Sequence, residues 1–123
     1  MVLLLPYPPS ANRYLRHTAR GTYRTAEADR YREVVNRIAS EASGVGRVFF
    51  RGFVSLTATL HPRTTAKGSA SKSLLDLDNC IKVVCDALQG ACYVDDCQLR
   101  RISISYGAPM VGGGLTVELC AHE

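Results

Sequence analysis

Asp76-Leu77-Asp78-Asn79 is followed by Lys82 and Asp86 and, past a short connection, by Asp95-Asp96. In a chain whose 15 Lys and Arg outnumber 11 Asp and Glu, that concentration of acids in one stretch asks for a chemical reason. Hydrolysis of a phosphodiester supplies one. It calls for a hard cation such as Mg²⁺ to offset developing charge and to lower the pKa of water, and such ions are held by a few carboxylates together with water and substrate oxygens. Asp76 and Asp78 fall where a helix should begin, so backbone N–H groups would favour an approaching phosphate there. Lys82, one turn further, is placed to meet a non-bridging oxygen or a leaving group. A plainer reading competes. Asp78 and Lys82 form an exposed ion pair worth about 0.3–0.5 kcal/mol, Asp76 caps the helix, and Asp95-Asp96 occupies a turn.

The elements that must position these groups follow from periodicity. Asp76 to Leu88 reads as a helix with Ile81, Val84, Cys85 and Leu88 as its apolar stripe and Gly90 beyond its end. Asp78, Lys82 and Asp86 then form a row four residues apart that faces away from the core. Tyr31, Val34, Val35, Ile38 and Ala42 define a second helix over Thr25 to Ala42. Thr25 is its cap, Glu27 and Asp29 suit its dipole, Gly44 and Gly46 end it, and Arg30, Arg32 and Arg37 read as a solvated face. Val2 to Leu5 and Val48 to Leu60 read as strands, the second with Val54, Leu56, Ala58 and Leu60 on one face, and His61-Pro62 ends it. Arg63 to Ser73, with Lys67 and Lys72, is expected to be a mobile basic loop. Leu99 to Tyr106 and Leu115 to Ala121 both alternate, and the glycine-rich stretch between them suggests a C-terminal hairpin.

Between Pro6 and Arg24 the chain interleaves Asn12, Arg13, Tyr14, Arg16, His17, Arg20, Tyr23 and Arg24, a mixture that suits phosphates and bases and equally describes a solvated loop. At 123 residues one domain is expected, and 46% hydrophobic with 21% charged residues indicates a packed fold. Net charge +4 mildly favours a polyanionic partner. The apolar run Val2 to Leu5 is too short for a signal peptide or a membrane span, so no membrane association and a cytoplasmic location are expected. Cys80, Cys85, Cys92, Cys97 and Cys120 lack the close CxxC spacing of a structural zinc site and read as reduced thiols, Cys80 and Cys85 as helix-borne apolar groups. His17, His61 and His122 have no spacing suited to a shared metal.

Pro8-Pro9-Ser10-Ala11-Asn12-Arg13-Tyr14, Asp76-Leu77-Asp78-Asn79 with Lys82 and Asp86-Ala87-Leu88, and Val94-Asp95-Asp96-Cys97-Gln98 together resemble three motifs, in order, of the RusA-type Holliday junction resolvases, small prophage-associated endonucleases. The resemblance spans nearly the whole chain. It implies a homodimer that binds four-way DNA junctions during recombination and repair and makes paired nicks with Mg²⁺, for which Mn²⁺ is a possible substitute. It implies metal ligation by Asp76, Asp78 and Asp96, a catalytic role for Lys82, and supporting roles for Asn79 and Asp95. DNA contacts are then expected from Asn12, Arg13, Tyr14, Arg16, His17, Lys67 and Lys72. Asp86 reads as structural, holding Lys82 or a nearby backbone. The chain departs from the family just before Asp76, where Ser71-Lys72-Ser73-Leu74-Leu75 supplies one cation in place of an arginine-rich run.

The combined expectation is a single α+β domain, a mixed β-sheet of about four strands with two main helices, homodimeric. Two rival functions remain open. One is a branched-DNA-binding dimer that does not cut, disfavoured because acids near a DNA surface repel phosphate unless a cation lies between them. The other is a metal-dependent nuclease of unbranched nucleic acid using the same carboxylates.

Overall fold

Alternation decides the centre of the molecule. In the computed structural model, which describes residues 1–44 and 50–123, strand β4 (Val54–His61) turns Val54, Leu56, Ala58 and Leu60 into the core and leaves Ser55, Thr57 and Thr59 on the opposite face. It is flanked on both edges: β5 (Leu99–Tyr106) pairs with it in parallel and β6 (Gly114–Ala121) antiparallel, while β1 (Val2–Leu5) adds antiparallel to β6. Among the described residues this gives a mixed four-stranded sheet of order β1-β6-β4-β5.

The expected C-terminal hairpin is therefore corrected. β5 and β6 alternate as hairpin strands would, yet β4, buried on one whole face, lies between them. Residues 107–113 cross the end of β4, with Gly107 N–H donating to Leu60 O at 2.9 Å and Met110 N–H to Pro62 O at 2.9 Å. Gly107 is needed there, since a Cβ would sit 2.4 Å from Thr59 Cγ2. The parallel β4–β5 pair in turn requires a long crossover, and that crossover carries helix α3 (Leu77–Leu88).

Helix α2 (Ala26–Ser43) packs with α3 on the core face of the sheet. Thr25 Oγ1 accepts from Ala28 N–H at 3.2 Å, and Gly44 closes the helix with φ +73°. Its buried residues are Ala28, Tyr31, Val35 and Ala39, with Val34 and Ile38 half-buried; Ala42 is exposed. On α3 the stripe centres on Cys80, Val83, Val84, Ala87 and Leu88, and Ile81 and Cys85 fall to its margins. Of the segment expected to begin the strand at Val48, residues 50–53 do not extend β4. The buried Gln98 takes up their carbonyls instead, its Nε2 donating to Phe50 O at 3.2 Å and Gly52 O at 2.8 Å. Gly46 and Val48 lie outside the described residues.

The N-terminal segment is more ordered than a loop. It forms a four-residue helix α1 (Ala11–Tyr14) and a hairpin of β2 (Leu15–Thr18) and β3 (Gly21–Arg24). The basic segment 63–73 also departs from a mobile loop: Thr65 N–H donates to Ser69 O and Ser71 N–H to Arg63 O, both at 2.7 Å, around a turn at Gly68 with φ +80°. Lys67 and Lys72 are exposed on it. No helix among the described residues is long and apolar enough to cross a membrane.

Asp86 joins these parts. Arg24 grips its carboxylate with two bonds of 2.9 Å, Arg32 reaches Oδ2 at 3.1 Å, and the Tyr14 hydroxyl donates to the same oxygen. Arg32 also donates to the carbonyls of Asp86 and of Gln89, the latter at 3.1 Å, which suits a cation at a helix C-terminus. So Arg32 does not belong to the solvated face, and the partners of Asp86 are Arg24, Arg32 and Tyr14 rather than Lys82. Partial burial alone would raise the Asp86 pKa; the hydrogen bonds from Arg24 and Tyr14 and the two guanidinium charges outweigh it and hold the carboxyl below its ordinary range. Burial and the bond to Asp86 push the Tyr14 phenol up to about 12, so it stays a donor. A depressed native pKa contributes stability above the unfolded value and loses it as pH falls through the native one. Asp86→Asn is expected to cost about 2 kcal/mol at neutral pH. In thermal melts the gap between wild type and variant should be widest above pH about 4 and close below it; a gap that stays constant down to strong acid would contradict this account.

Candidate active site

Leu75 shows how the acidic cluster is held. Its N–H donates to the Tyr7 hydroxyl at 2.9 Å and its carbonyl accepts from the Tyr106 hydroxyl at 2.8 Å. Both backbone groups of the residue before Asp76 are thus fixed by side chains from the Pro-rich segment and from the end of β5. Asp76 then occupies the N-cap position of α3, φ −63° and ψ 144°, but its side chain makes no cap bond. Asp78 stands in the first turn, exposed like Asp76 and Lys82, with Asn79 half-buried beside it. Among the described residues Asp78 and Lys82 form no ion pair with each other; the ion pairs are Arg13–Glu27, Arg24–Asp86 and Arg32–Asp86. Two carboxylates and a lysine therefore face solvent without competing partners around a helix N-terminus. Partial burial and the nearby charges of Asp76 and Asp78 raise the Tyr106 phenol.

Asp96 is elsewhere. It begins the single turn Asp96–Gln98 after α3, and its N–H donates to Gln89 Oε1 at 3.3 Å. It is close enough to Asp95 and Asp86 to feel their charges, and its own charge helps keep the Cys85 thiol protonated. Its neighbours Cys85, Asp86 and Gln89 belong to the C-terminal part of α3 and the residue after it, whereas Asp76 and Asp78 stand at the N-terminal end. Among the described residues no group of three or more His, Cys, Asp or Glu side chains is gathered to hold a metal ion. The oxygen donors of Asp76 and Asp78 suit a hard cation, but one chain brings two of the three expected ligands together, not three. Asp95 is a structural cap: Oδ1 accepts from Cys97 N–H at 2.9 Å, while Gln98 Oε1 accepts from Asp95 N–H at 3.1 Å. Hydrogen bonds to its carboxylate from the Cys97 N–H, the Cys97 thiol and Asp96 lower the Asp95 pKa. The bond and charge of Asp95, with slight desolvation, raise that of Asp96.

Of the expected DNA contacts, Asn12, Arg13, Arg16 and His17 line one open basin beside α1 and the hairpin. His17 Nδ1 is 3.0 Å from Thr22 Oγ1 across that hairpin. Tyr14 is not available to DNA, being 1% exposed and bonded to Asp86. His61 bonds Ala108 O and Thr116 Oγ1, each at 2.8 Å, and His122 bonds Ser55 Oγ at 2.7 Å, so both are structural. The five cysteines are free thiols, Cys80 and Cys92 buried. Tyr7 and Tyr106 were invisible as site residues because nothing in local spacing links positions so far apart to Leu75.

Residues 6–119 match the family described as Endodeoxyribonuclease RusA. The chain belongs to that family. The Crossover junction endodeoxyribonuclease RusA of Shigella sonnei (strain Ss046) is 34% identical to it over 126 residues, covering 98% of this chain and 96% of the relative. The match to the RusA family takes in both the Pro-rich segment that bears Tyr7 and the whole of α3, so the strap and the acids it holds lie within the family's common region.

Tyr7→Phe removes the acceptor for Leu75 N–H at a net cost of about 1 kcal/mol. Hydrogen exchange at the Leu75 amide should accelerate while amides in the middle of α2 keep their protection. An unchanged Leu75 rate would mean the strap is held by something else.

Proposed function

We propose that this chain is a Mg²⁺-dependent homodimeric endodeoxyribonuclease that resolves four-way DNA junctions in the cytoplasm by paired nicks, in recombination and repair. The observation that carries the reading is the pair of exposed, unpartnered carboxylates, Asp76 and Asp78, set at a helix N-terminus with Lys82 one turn away. The name of the Shigella relative, a crossover junction endodeoxyribonuclease, supports the choice of substrate. Bound Mg²⁺, or Mn²⁺ in its place, would supply an activated water and charge neutralisation. Asp76 and Asp78 hold the ion, the N–H groups opening α3 favour the phosphate, and Lys82 offsets charge gathering on its oxygens. Asn12, Arg13, Arg16 and His17, with Lys67 and Lys72, supply DNA contacts that set register and salt dependence. Asn79 supports the acids from within the first turn of α3, and Asp95 fixes the turn that presents Asp96.

The position of Asp96 gives the dimer a chemical task. Because α3 separates it from Asp76 and Asp78, the third carboxylate of each site is drawn in this reading from the partner subunit's Asp96, across a twofold arrangement that sets the two copies of α3 head to tail. Each active site would then exist only in the dimer.

Nicking of a synthetic four-way junction beside linear duplex, with Mg²⁺ and with EDTA, tests the activity. Symmetric nicks confined to the junction and abolished by EDTA are expected. Tight binding without nicks under any divalent ion would instead indicate a junction-binding dimer, and equal cutting of both substrates a less selective nuclease. Mixing inactive Asp78→Asn and Asp96→Asn subunits tests the shared site. A mixed dimer regains one intact site of its two and should nick single strands; mixed dimers that form and stay inactive would refute sharing.

A further inference from the structure

A cavity of about 490 Å³ opens between the Pro-rich segment, α2 and the strap Ser73–Leu75. It adjoins the basin beside the hairpin, with Arg13 and Glu27 bordering both. We propose that it receives a single unpaired nucleotide of the DNA substrate, its phosphate met by Arg30 and Arg13 and its base by the stacked Arg63 and Tyr7. The proposal rests on the DNA-processing reading above and deepens it.

Location is the first argument. Ser73, Leu74 and Leu75 form one wall, and the next residue is Asp76. An occupant would therefore lie beside the proposed cleavage site, about where the nucleotide next to the scissile phosphate must go. Size is the second: the volume suits one ligand of drug or nucleotide dimensions and is too small for stacked base pairs.

The lining supplies the third. Arg13, Arg30 and Arg63 face one acid, Glu27, and the Arg13–Glu27 pair at 3.2 Å has an arginine side chain 72% exposed. Such a pair is weak and leaves Arg13 free to turn to a phosphate. Apart from Ser10 and Ser73 the remainder is prolines, Tyr7, Tyr31, Val34 and leucines, a combination of flat apolar surface and guanidinium that neither a free anion nor an apolar ligand would need.

The stack itself is built. The Arg63 guanidinium carbon lies 4.1 Å from the centre of the Tyr7 ring. Gly113, at φ +72°, closes over it so tightly that a Cβ would come within 2.7 Å of Tyr7 Cδ2 and 3.0 Å of Arg63 Cγ. Both tyrosine hydroxyls are already engaged, Tyr31 donating to Pro6 O at 2.8 Å and Tyr7 accepting from Leu75 N–H. The cavity thus offers mainly ring and guanidinium faces to a base, which favours stacking that tolerates any base.

The experiment measures binding of fluorescent single-stranded dT6 and of a short duplex in EDTA, by anisotropy, so that no cleavage is involved. Arg30→Gln and Arg63→Gln should each weaken dT6 about fivefold or more and the duplex distinctly less, while Arg101→Gln, outside the cavity, should leave dT6 binding unchanged. Loss no greater than that of Arg101→Gln, or equal loss for single strand and duplex, would overturn the pocket and leave a general basic surface. Because the assay is free of metal and of cutting, its failure and the failure of the nuclease reading are separate results.

Discussion

The carboxylate of Asp86 is the joint on which the architecture turns. It takes hydrogen bonds from Tyr14 in α1, Arg24 at the end of β3 and Arg32 in α2, and it belongs to α3. Three elements, α1, β3 and α2, are thereby fixed to one helix. The cost of partly desolvating a carboxylate is offset because each of its oxygens is bonded and two guanidinium groups balance its charge. The exposed N-terminal hairpin has no buried residue in either strand, so its direction relative to α3 depends on this joint more than on packing.

The two ends of α3 are secured differently, and the difference matches their tasks. At the C-terminal end Arg32 satisfies helix carbonyls and Asp86 is saturated with partners. At the N-terminal end the acids have no partners, and control is exerted one residue earlier, through the backbone of Leu75. Fixing the main chain while leaving the carboxylates free lets them be positioned without having their charge spent on the protein's own donors. Tyr7 serves twice here, its hydroxyl on the strap and its ring beneath Arg63, so the cavity and the acids share a wall.

Much of this was legible in the sequence, for identifiable reasons. The alternation of Val54, Leu56, Ala58 and Leu60 and the spacing of Tyr31 and Val35 report burial directly, so β4 and α2 were readable. Strand partners were not: β5 and β6 alternate equally well against each other or against β4, and only three-dimensional packing decides that β4 comes between them. Asp76, Asp78 and Lys82 were readable as a cluster because a helix brings near sequence neighbours together. Asp96 joins Asp76 and Asp78 through the family resemblance, and its neighbours in the fold, Asp86 and Gln89, lie toward the C-terminal end of α3. The roles of Tyr14 and Arg32 depend on Asp86, 72 and 54 positions away, a separation that no local pattern encodes.

The order of the strands also sets a timetable. β1 pairs with β6, Val2 opposite Glu118 and Leu5 opposite Leu115, and β4 lacks both neighbours until β5 and β6 have followed it. Nearly every sheet contact is therefore distant in sequence, and the loop closures they require must precede their reward. On the ribosome the chain would emerge with β1 unpaired and with β4 lacking its β6 neighbour until residue 121 had been added. The interval before β6 docks is then when the apolar faces of β1 and β4 are open to other chains.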